Sequence, residues 1–278
     1  MSRRRFAWLN HPVLPAWDGH CHLGACPGRT PVEKMAWLME RAQRLGIRRV
    51  IVFMGWPFVY DPSPAELRRQ NDQVLKALEH WHDHAYGYCY VSPRHPDASI
   101  AEMDRCIRDG PMVGIKLWVA ARPTAPGARE LIEHATALRA VVFQHTWLKR
   151  SGNLPGESTP YDLASVAADY PKTTFICGHA GGNWRVGVRI VEPHDNIVVE
   201  TAGFDPVAGF LERAIEHLGP QRIIYGSDAA GRSFASQLAK VYGARVSLDQ
   251  KRLILHENLK RLLLPVLQTK GSTPSLEP

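Results

Sequence analysis

The chain has 278 residues, 34 Lys+Arg against 27 Asp+Glu (net +7), 45% hydrophobic and 22% charged. That is globular composition with enough apolar material for a buried core, and it excludes disorder, collagen-like repeats and a continuous coiled coil. No apolar run approaches the roughly 18 residues of a membrane span, the basic residues form no stripe that would track phosphates, and no Cys-x-x-Cys pair occurs; the expectation is a cytoplasmic protein with no membrane or nucleic-acid partner.

Residues 1–15 read as an N-terminal arm. Arg3-Arg4-Arg5 has a faint likeness to a twin-arginine signal, but Asn10, His11 and two prolines follow, and Asp18-Gly19-His20 arrives without a cleavage site. Short β-branched runs then alternate with longer amphipathic ones. The strands are predicted at 16–20, 48–54, 85–91, 113–117, 140–145, 173–177, 196–200 and 222–226. Most are nearly continuous in hydrophobics, as parallel strands buried on both faces should be. Helices are predicted at 31–45, 64–82, 98–108, 128–138, 161–170, 205–218 and 233–242, with a weaker one after Asn183 and a closing helix at 248–264. Eight such units in 278 residues average about 35 residues each, which predicts a single-domain α/β (β/α)8 TIM barrel over 16–268. A doubly wound sheet would place a Gly-rich turn after strand 1, and none is there. The Ser-, Thr- and Pro-containing stretch 269–278 is expected to be a disordered tail.

In such a barrel, chemistry sits where strands end. Strand 1 ends in Asp18-Gly19-His20-Cys21-His22, and strand alternation points both imidazoles to one side, where they can reach one ion. His80, His82 and His84 repeat the spacing where a helix runs out, and solvated side chains are expected there. Other strand ends carry Lys116, His145, His179 (in Gly178-His179-Ala180-Gly181) and Asp228 (in Gly226-Ser227-Asp228). Each alone has a structural explanation, a core histidine or a helix-capping aspartate. Four histidines and one aspartate at strand ends 1, 5, 6 and 8 are harder to explain that way.

With these pieces, and with Leu253 to Leu263 as a closing helix, the chain resembles the amidohydrolase superfamily, specifically its second family of metal-dependent hydrolases and decarboxylases. The resemblance runs from about Ala16 to Leu264, in the same order, and identifies no substrate. It implies one divalent metal ion, zinc the expected one, held by His20, His22, His145 and Asp228, with His179 and Asp228 as the catalytic acid/base groups. Imidazole and carboxylate suit zinc, which lowers the pKa of a bound water to about 7. In two-metal relatives a strand-4 lysine is carboxylated and bridges the ions. Here one metal is preferred, with Lys116 as a substrate-facing or structural cation.

Trp56, Trp118, Trp147 and Trp184 each follow a strand closely, so they either wall an apolar pocket or pack beneath the loops. Arg122, Lys149, Arg150, Arg185 and Arg232 share those loops and could hold a carboxylate. The substrate-facing set is therefore Lys116, Trp118, Trp147, Trp184 and Arg185. The expected reaction is hydrolysis of a C–O or C–N bond (lactone, ester or amide) in a small organic acid. The alternative is non-oxidative decarboxylation of an aromatic or unsaturated acid. Some decarboxylating relatives carry an acidic residue in place of the first strand-1 histidine, so an intact His20 leans towards hydrolysis. A barrel that merely binds a ligand would be expected to have lost a metal-binding residue, and none is lost. The partner is a small-molecule substrate, with formation of a homo-oligomer left open.

Overall fold

The computed structural model describes residues 13–271; residues 1–12 of the expected arm and 272–278 of the expected tail lie outside the described residues. Eight strands pair in parallel in chain order. They are β1 (Ala16–His22), β2 (Ile47–Phe53), β3 (Ala85–Tyr90), β4 (Gly114–Leu117), β5 (Val141–Gln144), β6 (Phe175–Cys177), β7 (Ile197–Glu200) and β8 (Ile223–Ile224). The predicted (β/α)8 barrel is borne out.

Helices follow the strands: α1 (Pro31–Arg44), α2 (Pro64–Leu78), α3 (Pro96–Met103), α4 (Ala128–Ala137), α5 (Pro160–Ala167), α6 (Trp184–Val191), α7 (Phe210–Leu218) and α8 (Phe234–Tyr242). Several start on a Ser or Thr whose side chain takes a free amide of the first turn: Thr30 with Glu33, Ser63, and Thr159 with Asp162. Proline at the first helical position, where no amide is needed, fixes α1, α2 and α5. The closing helix is interrupted. It runs as α9 (Leu248–Arg252), a π turn (Leu253–Glu257) that buries Ile254 and Leu255, and α10 (Asn258–Thr269). Helix α7 begins five residues later than predicted, leaving 201–209 as a loop over the β7 end.

The last strand is shorter than predicted, two regular residues in place of five. β1 is bulged against β2 between Asp18 and Cys21, and its other side meets the chain after β8 through individual bonds. The Gly19 amide donates to Tyr225 O at 3.0 Å, the Asp228 amide to His20 O at 2.9 Å, and the His22 amide to Ala229 O. Asp18 ties the same seam. Its Oδ1 accepts the amides of His20 (2.9 Å) and of Ser227 (3.0 Å), the latter 209 residues further along the chain. Burial raises its carboxyl to a pKa of about 7, against the opposing bonds to Ser227 and His20. Asp18→Ala would strand two buried amides at about 1–3 kcal/mol each. Urea unfolding is expected to show a loss of roughly 3 kcal/mol, and a loss under 0.5 kcal/mol would show that the seam does not depend on it.

Candidate metal centre

The seam bonds that close the barrel also aim its chemistry. They set His20 and His22 on β1 beside Asp228, which follows β8 in the left-handed region (φ 63°). His179, just past β6, has φ 61° in a turn that Gly181 and Gly182 continue with positive φ. Left-handed backbone at bulky non-glycine residues is uncommon and is held here by the surroundings.

Five predicted side chains meet at the carboxyl rim. His22 Nε2 lies 2.9 Å from Asp228 Oδ1, and His20 Nε2 lies 3.7 Å from the same oxygen. His179 Nε2 is 3.2 Å from His145 Nδ1. The rings of His20 and His179 are 5.0 Å apart, centroid to centroid. His20, His179 and Asp228 form a trio whose ligand atoms all lie within 4.8 Å of one another. His179, expected from the sequence beside the ion as an acid/base group, thus shares this trio with two of the expected ligands. His80, His82 and His84 are exposed, as expected.

Two carboxylates that the sequence reading did not single out secure the imidazoles from behind. Glu200, the buried last residue of β7, takes His20 Nδ1 at 3.2 Å and the backbone amides of His179 (2.5 Å) and Ala202 (2.6 Å). Glu157, in the loop after β5, takes His145 Nε2 at 3.0 Å. Since a neutral imidazole has one N–H, these partners assign the tautomers: His20 and His145 donate outward and turn a lone pair inward. The Glu200 signal was its place at a predicted strand end; Glu157 carries no positional signal at all.

Electrostatics agree with a cation site. Burial pushes His20 and His179 well below the ordinary histidine pKa and lowers His145, which favours the uncharged imidazole in each. Burial works to raise the Asp228 carboxyl, but the hydrogen bond and charge of His22, then the charges of His20 and His179, outweigh it and hold the group well below the carboxylate range. The Nδ1 atoms of His22 and His179 are buried without a hydrogen-bond partner. The inward lone pairs of His20 and His145, gathered with the Asp228 carboxylate, are nitrogen and oxygen donors that fit a divalent ion.

Glycines shape this cradle. A Cβ on Gly55 would stand 2.1 Å from His22 Nδ1, and one on Gly203 would stand 2.1 Å from His179 Nδ1, both at positive φ. Gly55→Ala is expected to lower metal content by displacing His22, whereas Gly203→Ala lowers turnover with metal retained. Metal analysis beside kinetics checks this; identical losses in both variants would contradict it.

Lys116 lies beneath the cluster and faces no mouth. It is fully buried, its Nζ 3.1 Å from His20 Nε2, 3.4 Å from the Phe143 ring centroid and 4.6 Å from that of Phe53. Burial lowers its pKa far below the usual value. Two indoles flank the site. Trp118 packs on His22 (5.8 Å) and gathers Phe53, Phe58 and Trp56, while Trp147 lies on His179 (4.8 Å) and His145 (6.2 Å). Trp184 instead packs on Phe210 in the helical layer, with Arg185 over its outer ring, because the glycine turn after His179 carries the chain outward before α6. Of the loop cations, Lys149 is taken by Glu157, and Arg232 stands 3.7 Å from Asp228 Oδ2.

Fold and site define a class: a parallel barrel with a histidine–carboxylate cluster gathered at the carboxyl ends of its strands. The amidohydrolase family model matches residues 17–264, and the chain belongs to that family. A comparison with curated proteins found no match. Among solved structures, the chain is similar to 2,6-dihydroxybenzoate decarboxylase from Rhizobium, with TM-score 0.72 and 16% identity over 90% of this chain and 98% of that one. The 5-carboxyvanillate decarboxylase of Sphingomonas paucimobilis gives 0.70 and 13%, covering 90% and 99%. A dihydroxybenzoic acid decarboxylase from Polaromonas sp., with bound manganese and 2-nitroresorcinol, gives 0.67 and 15%, covering 91% and 97%. At these identities the likeness is one of fold. No helix among the described residues is long and apolar enough to cross a membrane.

Proposed function

We propose that this chain is a metal-dependent, non-oxidative decarboxylase of a flat aromatic or unsaturated carboxylic acid. One observation carries the reading: an inward-facing set of imidazoles and one carboxylate, flanked by the indoles of Trp118 and Trp147. The same activity in the named structural relatives supports it, as does manganese in one of them, which makes manganese a candidate beside zinc.

In this reading His20, His22, His145 and Asp228 hold one divalent ion. When bound, the ion supplies positive charge that orients the substrate's oxygens and stabilises charge developing on them. His20 and His145 suit the ligand role because Glu200 and Glu157 keep their inward nitrogens unprotonated. On His179, Nδ1 lies 3.5 Å from Glu200 Oε1 without a hydrogen bond, and Nε2 lies 3.2 Å from His145 Nδ1, on the side of the ring that faces the site. His179 and Asp228 together hold and move the proton that adds to the carboxyl-bearing carbon. The C–C bond then breaks, its electron pair returns to the ring system and the carboxyl leaves as CO2. Trp118 and Trp147 keep the ring flat and exclude water, and Arg232 meets a second anionic group.

Hydrolysis is the second reading, and one feature favours it. Asp228 is the member of the cluster most open to solvent, its side chain 17% exposed, so it can take a proton from water. A panel of hydroxybenzoates, unsaturated acids and lactones, with CO2 and titratable acid measured separately, decides. CO2 release from an aromatic or unsaturated acid is expected; acid release from lactones without CO2 would overturn the decarboxylase reading.

A further inference from the structure

We propose that Glu157 is a positioning residue of this site, fixing the tautomer and aim of His145 so that Nδ1 offers a lone pair to the ion. This rests on the reading of His145 as a ligand. Glu157 is 1% exposed, and a buried carboxylate is costly unless its oxygens are met. They are met from three sides. Oε1 takes His145 Nε2 at 3.0 Å and Lys149 Nζ at 2.9 Å; Oε2 takes Lys149 Nζ at 2.7 Å and the Leu154 amide at 2.9 Å.

The loop between His145 and Thr159 is folded around this carboxylate. The Trp147 amide donates to Ser158 O at 2.8 Å and the Lys149 amide to Asn153 Oδ1 at 3.0 Å. Gln144 Nε2, the last residue of β5, donates to Ser158 Oγ at 3.0 Å and so fastens the loop to the barrel. A rigid loop thus delivers one fixed acceptor to one imidazole nitrogen. Carboxylates behind metal-binding histidines fix ring orientation and raise ligand basicity, and their loss typically costs 10–100-fold in metal affinity. Glu200 plays the corresponding part for His20, so the two inward lone pairs of the site each depend on a carboxylate, one at the end of β7 and one in the loop after β5.

The test measures zinc affinity by chelator competition, and the His145 tautomer by 15N NMR of metal-free protein, in the unaltered chain, Glu157→Ala, Glu157→Gln, Asn153→Ala and His145→Ala. The unaltered chain is expected to show Nε2–H at His145. Glu157→Ala should show mixed tautomers and a zinc Kd raised roughly 10–100-fold. Glu157→Gln, which keeps an oxygen acceptor without the charge, should fall between, and it carries the comparison should the alanine variant not fold. Asn153→Ala, which loosens the loop without touching Glu157 or His145, should leave zinc affinity within about twofold, where a purely structural role predicts a loss as large as that of Glu157→Ala. If His145→Ala loses zinc while both Glu157 variants keep the wild-type affinity and tautomer, the inference about Glu157 falls and the site reading stands. If His145→Ala binds zinc as tightly as the unaltered chain, His145 is no ligand and both fall.

Discussion

Asp228→Asn is expected to lower turnover by on the order of 10³-fold, the range for losing a positioned proton-transfer group in a site that also loses charge. The side chain is committed on both oxygens. Oδ1 lies 2.9 Å from His22 Nε2 and 3.7 Å from His20 Nε2, and Oδ2 lies 3.7 Å from Arg232 Nε. Asparagine keeps the size and one oxygen but no charge, so it can neither hold a proton nor neutralise a cation. Its backbone sits at φ 63°, which asparagine tolerates at least as well as aspartate, so folding should survive. The measurement is kcat with metal content determined on the same sample. Turnover within tenfold of the unaltered chain would remove Asp228 from the mechanism.

The second large effect is a split between two histidines. His22→Ala should lower metal content and activity together, because its Nε2 stands beside Asp228 within the proposed ligand set. His179→Ala should retain the metal and lose turnover by about 10²–10⁴-fold, the usual contribution of a general acid/base. The compact His20–His179–Asp228 trio makes the reverse outcome informative. Metal lost from His179→Ala and retained in His22→Ala would assign the ion to that trio. Metal lost from both would place both imidazoles on metal and favour a two-ion site.

The parts of this site legible in the sequence are those that strand periodicity positions. His20 and His22 lie two apart on β1, and His145, His179 and Asp228 follow runs whose hydrophobicity marks β5, β6 and β8, so chain order alone sent all five to one rim. Glu200 ends β7 after three apolar residues and obeyed the same rule, but an acid at a strand end has no spacing partner to call attention to it. Glu157 lies in a 15-residue stretch between β5 and α5, where only the folded loop decides which side chain returns to His145. The tryptophans were ambiguous for the same reason. Trp118 and Trp147 stay on the cluster, while the left-handed backbone from His179 to Gly182 takes Trp184 to Phe210. The bulge of β1 against β2, the short β8 and the tie that Asp18 makes across the seam belong to pairing geometry that hydrophobic pattern does not encode.

The central claim is that side chains from both ends of the barrel sequence surround one cation that the chemistry needs. Elemental analysis of the purified protein, repeated after chelation and dialysis with activity followed in parallel, tests it most directly. The expected result is about one equivalent of zinc or manganese per chain, with activity lost as metal is removed and regained when it is restored. Less than a tenth of an equivalent of any divalent ion, with activity untouched by the chelator, would contradict it.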